Sequence, residues 1–364
     1  MFSNLRRVLN DDTPGLRRKV IGIYTLLIAI NLALWVITLL TSLRYPLLLG
    51  LAATAYGFGL RHAVDADHIS AIDNVTRKLM QEKKKPVAVG FFFSLGHSSV
   101  VCIMTALIAA GSAFVARDLS NDNSPLKTYG GLIGTGVSAL FLFAIAIMNI
   151  IILVQVVRTF RSVTSGGAYS EEEVEDYLNK RGFFARIFRP IFKSIDKSWK
   201  MYPVGFLFGL GFDTATEVGL LAAASFFATQ QVPFWVVLLL PLLFTAGMSI
   251  ADTTDGVMML GAYGWAFVKP IRKLFYNMSI TLISVLVAVV VGALETLSIL
   301  SGQLNLSGGF WDFVGNLNDN FGAVGVGIIA IFIVSWVIST LFYRIKKYDD
   351  MEVIKSAASG AAGD

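Results

Sequence analysis

The chain is patterned in long apolar runs separated by short polar stretches. Eight runs, near residues 20–42, 46–68, 86–114, 129–157, 203–228, 233–261, 276–300 and 321–343, are long enough to span a bilayer, for which about 20 residues suffice. The pattern predicts an all-α integral membrane protein with eight transmembrane helices. The second and sixth runs carry polar motifs, so their ends are the least sharply drawn. The first run is too long for a signal-peptide core and lacks a small-residue cleavage site, so it is read as a span.

Between the spans, lysine and arginine collect on alternate sides. Arg6, Arg7, Arg17, Arg18 and Lys19 precede the first span, and further clusters lie in 77–85, 158–200 and 269–273. Arg344, Lys346, Lys347 and Lys355 follow the last span, whereas the other loops hold only Arg44, Arg117 and Lys127. The positive-inside rule then places both termini in the cytoplasm. A 55% hydrophobic, 15% charged composition and a mean hydropathy of +0.67 agree, because soluble domains carry about 25% charged residues. The net charge of +5 is that of the cytoplasmic loops and calls for no nucleic acid. Cys102 is the single cysteine, which excludes an intrachain disulfide and a cysteine metal cage.

The longest loop, 158–202, divides the chain into an N-terminal half (1–157) and a C-terminal half (203–364). Ser170 and Glu173 have capping-box spacing there. Phe184, Ile187, Phe188, Ile191, Ile195 and Trp199 recur at helical intervals among Arg186, Arg189, Lys193 and Lys197. This predicts an interfacial cytoplasmic helix on the inner leaflet, kinked at Pro190; a solvated linker helix is the alternative. The loop 302–320 has aromatics but no basic residue and is expected to rest in the outer interface.

The halves resemble each other. FGLRHAVDADH (58–68) aligns with FGLGFDTATEV (208–218), placing Asp67 opposite Glu217. FSLGHS (93–98) aligns with FTAGMS (244–249), placing His97 opposite Met248. The matching spans are three crossings apart and run in opposite directions, the pattern of an inverted repeat.

All three histidines of the chain, His62, His68 and His97, fall in polar interruptions of two adjacent spans. Ionisable groups inside a membrane are costly, and their default reading is functional. On an unbroken helix His62, Asp65 and His68 share an arc of roughly 120°, while Asp67 points roughly 160° away from Asp65. Gly57 and Gly59 just upstream can unwind that turn and alter the assignment. Imidazoles with a carboxylate suit nickel, cobalt or zinc rather than magnesium or calcium, and the single thiol disfavours copper(I). The metal candidates are therefore His62, Asp65, Asp67, His68 and His97. The second half offers acids: Asp213 and Glu217 four apart, and Asp252 and Asp255 three apart near Met248. These line a gate or translocation path, carry protons, or brace broken helices.

At these residues the sequence resembles the nickel/cobalt transporter family. The resemblance is carried by a His-x4-Asp-His motif (His62, Asp67, His68 in RHAVDADHI), by FFFSLGHSSVV (91–101), by LGFDTATEV (210–218) and by GMSIADTTDG (247–256). In the fourth motif Ile250 and Ala251 stand where bulkier apolar pairs are usual. The resemblance implies high-affinity uptake of Ni2+, Co2+ or both across a bacterial cytoplasmic membrane, with His62, Asp67 and His68 needed for transport. Helical geometry favours Asp65 and the family motif Asp67, which points to an irregular backbone from Asp65 to His68.

No Gly-rich phosphate loop is present, so a secondary carrier without an obligatory ATPase subunit or cofactor is expected, its partners being a divalent metal ion and the bilayer. Neutral imidazoles bind metal, so uptake is expected to fall below about pH 6. An exporter of the same metals is the nearest alternative, though the central loop lacks a histidine-rich tract. A membrane metalloenzyme is disfavoured, because the chain has only three histidines and no His-Glu-x-x-His.

Overall fold

The computed structural model describes residues 11, 15–82, 84–110, 125–165, 194–211, 215–228, 232–266 and 270–345. Among these the secondary structure is entirely helical. The helices are α1 (Leu16–Ser42), α2 (Leu47–His62), α3 (Ala66–Gln81), α4 (Val89–Ala109), α5 (Pro125–Thr164), α6 (Met201–Phe208) and α7 (Ala215–Ala228). They continue with α8 (Phe234–Val237), α9 (Leu239–Ala266), α10 (Pro270–Leu304), α11 (Gly309–Asp319) and α12 (Phe321–Ile345). Asp213 and most of the expected interfacial helix of the central loop, 166–193, lie outside the described residues, as do Ser170 and Glu173.

Among the described residues, six stretches are long and apolar enough to cross a membrane. The pair α2–α3, bent by 55°, makes a seventh if counted as one span. Where the sequence predicts an unbroken span over 203–228, the described residues form two shorter helices, α6 and α7, of 8 and 14 residues. The predicted span at 46–68 is likewise a broken one. Its polar motif falls at the break.

That break has a local cause. The last turn of α2 tightens, with Val64 N–H bonding to Arg61 O at 3.1 Å and Asp65 N–H to His62 O at 2.9 Å. Asp65 then turns extended (φ −67°, ψ 149°) and stands at the N-cap of α3. An N-cap aspartate ordinarily accepts from the first free N–H groups of its helix; this one makes no such bond, and its Oδ2 lies instead 3.0 Å from His62 Nδ1.

α3 is the most unusual element. It is polar on average, yet fourteen of its sixteen residues are buried, including His68, Ser70, Asp73, Asn74, Thr76, Arg77 and Lys78. Buried polar groups need partners, and the surrounding helices supply several of them. Arg77 Nη1 donates to Thr281 Oγ1 at 2.6 Å and Nη2 to Asn74 Oδ1 at 3.1 Å. Asn149 donates to Asn74 Oδ1 at 2.6 Å, and Ser284 Oγ to Asp73 Oδ2 at 2.7 Å. α3 is thereby keyed to α5 and α10. Those two helices are themselves joined by Ser138 Oγ, which donates to Glu295 Oε1 at 2.7 Å.

Several helix contacts are close enough to require glycine, among them α4 on α9, where a Cβ at Gly90 would strike Asp252 O. A Cβ at Gly59 would collide with the Phe244 carbonyl, and one at Gly247 would stand 2.7 Å from Tyr56 O, so α2 and α9 touch backbone to backbone. α4 and α6 do the same: a Cβ at Gly96 would strike Tyr202 O, and one at Gly205 would strike Phe93 O. Missing side chains allow this approach, as between membrane helices generally. α11 leaves Phe310 and Phe313 exposed and buries Val314.

Candidate metal centre

The break between α2 and α3 sets His62 at the end of one helix and His68 in the first turn of the next. His97 reaches them from α4. The three ring centroids are 4.7, 4.7 and 4.9 Å apart, and one ligand nitrogen from each lies within 4.8 Å of the others. None of the three residues is more than 3% exposed. Phe93 packs edge-on to His68 at 4.8 Å and Phe244 flanks His62 at 5.7 Å, so the walls are apolar and the chemistry sits in the centre.

Three carboxylates bond to the imidazoles. Asp65 Oδ2 is 3.0 Å from His62 Nδ1. Both carboxylate oxygens of Asp252, on α9, are 3.3 Å from His68 Nδ1. Glu217 Oε1, on α7, is 2.8 Å from His97 Nε2. A carboxylate on Nδ1 places the proton there and leaves the lone pair on Nε2. For His62 that nitrogen faces His97 Nε2 at 2.9 Å. For His68 it is a buried nitrogen with no hydrogen-bond partner.

The three imidazoles therefore converge, His62 Nε2 facing His97 Nε2 and Glu217 Oε1 beside the latter. A tetrahedral ion bound at about 2.0–2.1 Å holds its nitrogens about 3.3 Å apart, so the closest pair needs to part by only a few tenths of an ångström. Three imidazoles and one carboxylate form a set suited to borderline divalent ions.

The candidates from sequence separate into distinct placements. His62, His68 and His97 come together. Asp65 meets His62 at Nδ1, so the aspartate favoured by the helical arc is adjacent to the cluster but on its outer side. Asp67 is half-buried in the first turn of α3, and no hydrogen bond joins it to the histidines. Glu217 and Asp252, expected along a gate or path, are bonded directly to His97 and His68. Met248 is buried in the apolar core with Phe244. Asp255 lines an apolar cavity of about 820 Å³ together with Thr254, Met258, Ile69 and Trp336, and its Oδ2 has no hydrogen-bond partner.

Ser94 was not singled out by sequence. Its hydroxyl lies 2.8 Å from Asp252 Oδ2 and 2.6 Å from Gly90 O, one helical turn before His97, and the signal was its place within FSLGHS. Asp73 and Arg77 were also missed; their buried charges five and nine residues after His68 were the available sign.

A membrane protein of broken helices with a buried imidazole–carboxylate centre belongs among metal-handling membrane proteins. The comparisons sharpen that class. The family described as high-affinity nickel-transport protein (NicO) matches residues 48–342. The high-affinity nickel transport protein of Cupriavidus necator is 52% identical over 353 residues, covering 97% of this chain and 99% of its own. The nickel transporter NicT of Mycobacterium tuberculosis is 48% identical over 302 residues, covering 83% of this chain and 80% of its own. The cobalt transport protein NhlF of Rhodococcus rhodochrous is 37% identical over 302 residues, 82% of this chain and 84% of its own. No solved structure matches. The chain belongs to the high-affinity nickel-transport family, a family of transporters and not of enzymes.

Proposed function

We propose that this protein is a secondary carrier that imports Ni2+, Co2+ or both across the bacterial cytoplasmic membrane, with both termini in the cytoplasm. The observation that carries the reading is the buried convergence of His62, His68 and His97 with Glu217, in a chain of broken and unbroken apolar helices. Close relatives named for nickel transport and a more distant one named for cobalt transport support the substrate.

A hydrated ion reaches the cluster from outside and exchanges water for the three imidazoles and Glu217. Asp65 and Asp252 hold His62 and His68 in the tautomer that offers Nε2. An inside-negative potential of 100 mV favours inward movement of a doubly charged ion by about 4.6 kcal/mol, which suffices for uptake without ATP. Rocking of the halves 1–157 and 203–364 about the site then turns it to the cytoplasm. The aligned motifs and the matched glycine crossings, α2 on α9 and α4 on α6, support an inverted repeat and, with α6–α7 as an eighth broken crossing, eight spans. Asp255 lies on the inward side of this path.

The test is accumulation of radioactive nickel and cobalt in cells lacking their own metal transporters, with His62→Ala and His97→Ala variants at equal expression. Accumulation lost in both variants supports import through the site. Accumulation below that of empty cells would mean export.

A further inference from the structure

Three segments remote in sequence meet at the loop end of α3. Lys78 Nζ donates to Ile195 O at 2.6 Å, and Lys84 Nζ to Asp196 O at 2.6 Å. The Asp11 carboxylate accepts from Ser198 N–H at 2.5 Å and from Ser198 Oγ at 2.7 Å. The Asp11 carbonyl accepts from Lys85 N–H at 2.8 Å, while Lys19 Nζ reaches Lys85 O at 3.3 Å. Asp11, Lys78, Ile195 and Ser198 are each at most 5% exposed. The Lys200 ammonium, 2.7 Å from Asp196 Oδ1, holds that carboxyl below its usual range and keeps it charged.

The connectivity gives this cluster its meaning. Residues 84–88 lead from α3 into α4, which carries His97. Residues 194–200 run directly into α6, whose Gly205 packs against the backbone of α4. The cluster thus joins the histidine-bearing half to the start of the other half, on the side where the basic loops lie. Parting residues 194–200 from this connection would shift α6, whose Gly205 lies against Phe93 O and close to His97 N, and would so open the helix contact beside the histidines.

The chemistry of the contacts suits repeated opening. An apolar seam loses its whole driving force when wetted, whereas charged and carbonyl groups exchange these bonds for water at small net change. Closure is still selective, because the Asp11 carboxylate and the Lys78 ammonium are buried and their hydrogen bonds are charge-assisted.

We propose that Asp11, residues 84–88 and residues 194–200 form the inner gate of the carrier, with the Asp11–Ser198 contact as its latch. The gate rests on the import reading and on its orientation. Metal leaves the histidine centre only when 194–200 parts from the α3–α4 connection.

Because Cys102 is the single cysteine, a Cys102→Ala parent provides a clean background. Asp11→Cys with Ser198→Cys, and separately Lys84→Cys with Asp196→Cys, are bridged in purified protein by a short bifunctional methanethiosulfonate and then reconstituted. The expected result is loss of nickel uptake on bridging and recovery on reduction, while nickel still binds the bridged protein. Two pairs are used so that misfolding of one leaves the other to decide. Undiminished uptake with a pair fully bridged overturns the gate and leaves the import reading standing. A parent that carries no nickel overturns both.

Discussion

His62 Nε2 and His97 Nε2 face each other at 2.9 Å across the junction of two helices 35 residues apart in sequence. One is the last residue of α2 and the other sits near the middle of α4. Neither helix alone presents a metal site, so the pair is a property of the assembled bundle, and the histidine cluster is the part of the molecule most exposed to test.

Removing either buried imidazole is expected to abolish uptake. His62→Ala or His97→Ala takes away one of three nitrogen donors and leaves a carboxylate, Asp65 or Glu217, without its partner. Initial rates of nickel uptake at matched membrane levels check this; a rate near that of the unaltered protein would exclude the cluster as the transport site.

Asp65→Asn keeps the shape of the side chain and weakens its hold on His62 Nδ1. Loss of such an outer carboxylate costs roughly 10–100-fold in metal affinity, so half-saturation for uptake should rise by that order while the amount of folded protein is unchanged. Isothermal titration of the purified variant with nickel gives the affinity directly. An unaltered affinity would place Asp65 outside the machinery of the site.

Ser94→Ala tests the next shell out. Its hydroxyl contacts Asp252, which in turn contacts His68. A hydrogen bond to a charged group contributes about 1.5–3 kcal/mol, so nickel affinity should fall roughly 10-fold or more. Ser94→Thr retains the hydroxyl and should restore most of it, whereas equal loss in both variants would mean a packing effect.

Gly59→Leu and Gly205→Leu each force a side chain into a neighbouring backbone. Overpacking costs about 1–3 kcal/mol and more where backbone cannot yield. Detergent-solubilised protein should melt at a lower temperature in both variants, while substitution at Gly57, where a Cβ meets nothing within 4 Å, should leave the melting temperature near the parent value.

Much of this architecture was legible in the chain. Apolar run length identified six of the membrane segments among the described residues as long helices, a seventh being the bent α2–α3 pair, because in lipid every backbone group must bond within its own segment. The positions of His62, His68 and His97 in two adjacent interruptions announced the site, and the quarrel between Asp65 and Asp67 on a helical wheel announced that the helix there is broken. The wheel could not describe the break itself. A wheel assumes a constant 100° step, and the tightened turn from Arg61 to Asp65 abolishes that step.

Sequence alone determined the membrane class, the helical character of most apolar runs and the placing of three histidines in two adjacent segments, since each follows from local composition and spacing. Only the tertiary structure decided which acid serves which imidazole: Asp65 on His62, Asp252 on His68, Glu217 on His97. Two of those pairs join residues 184 and 120 positions apart. Such pairings depend on which helices the glycine crossings bring into contact and at what depth, and no periodicity within a single segment encodes that.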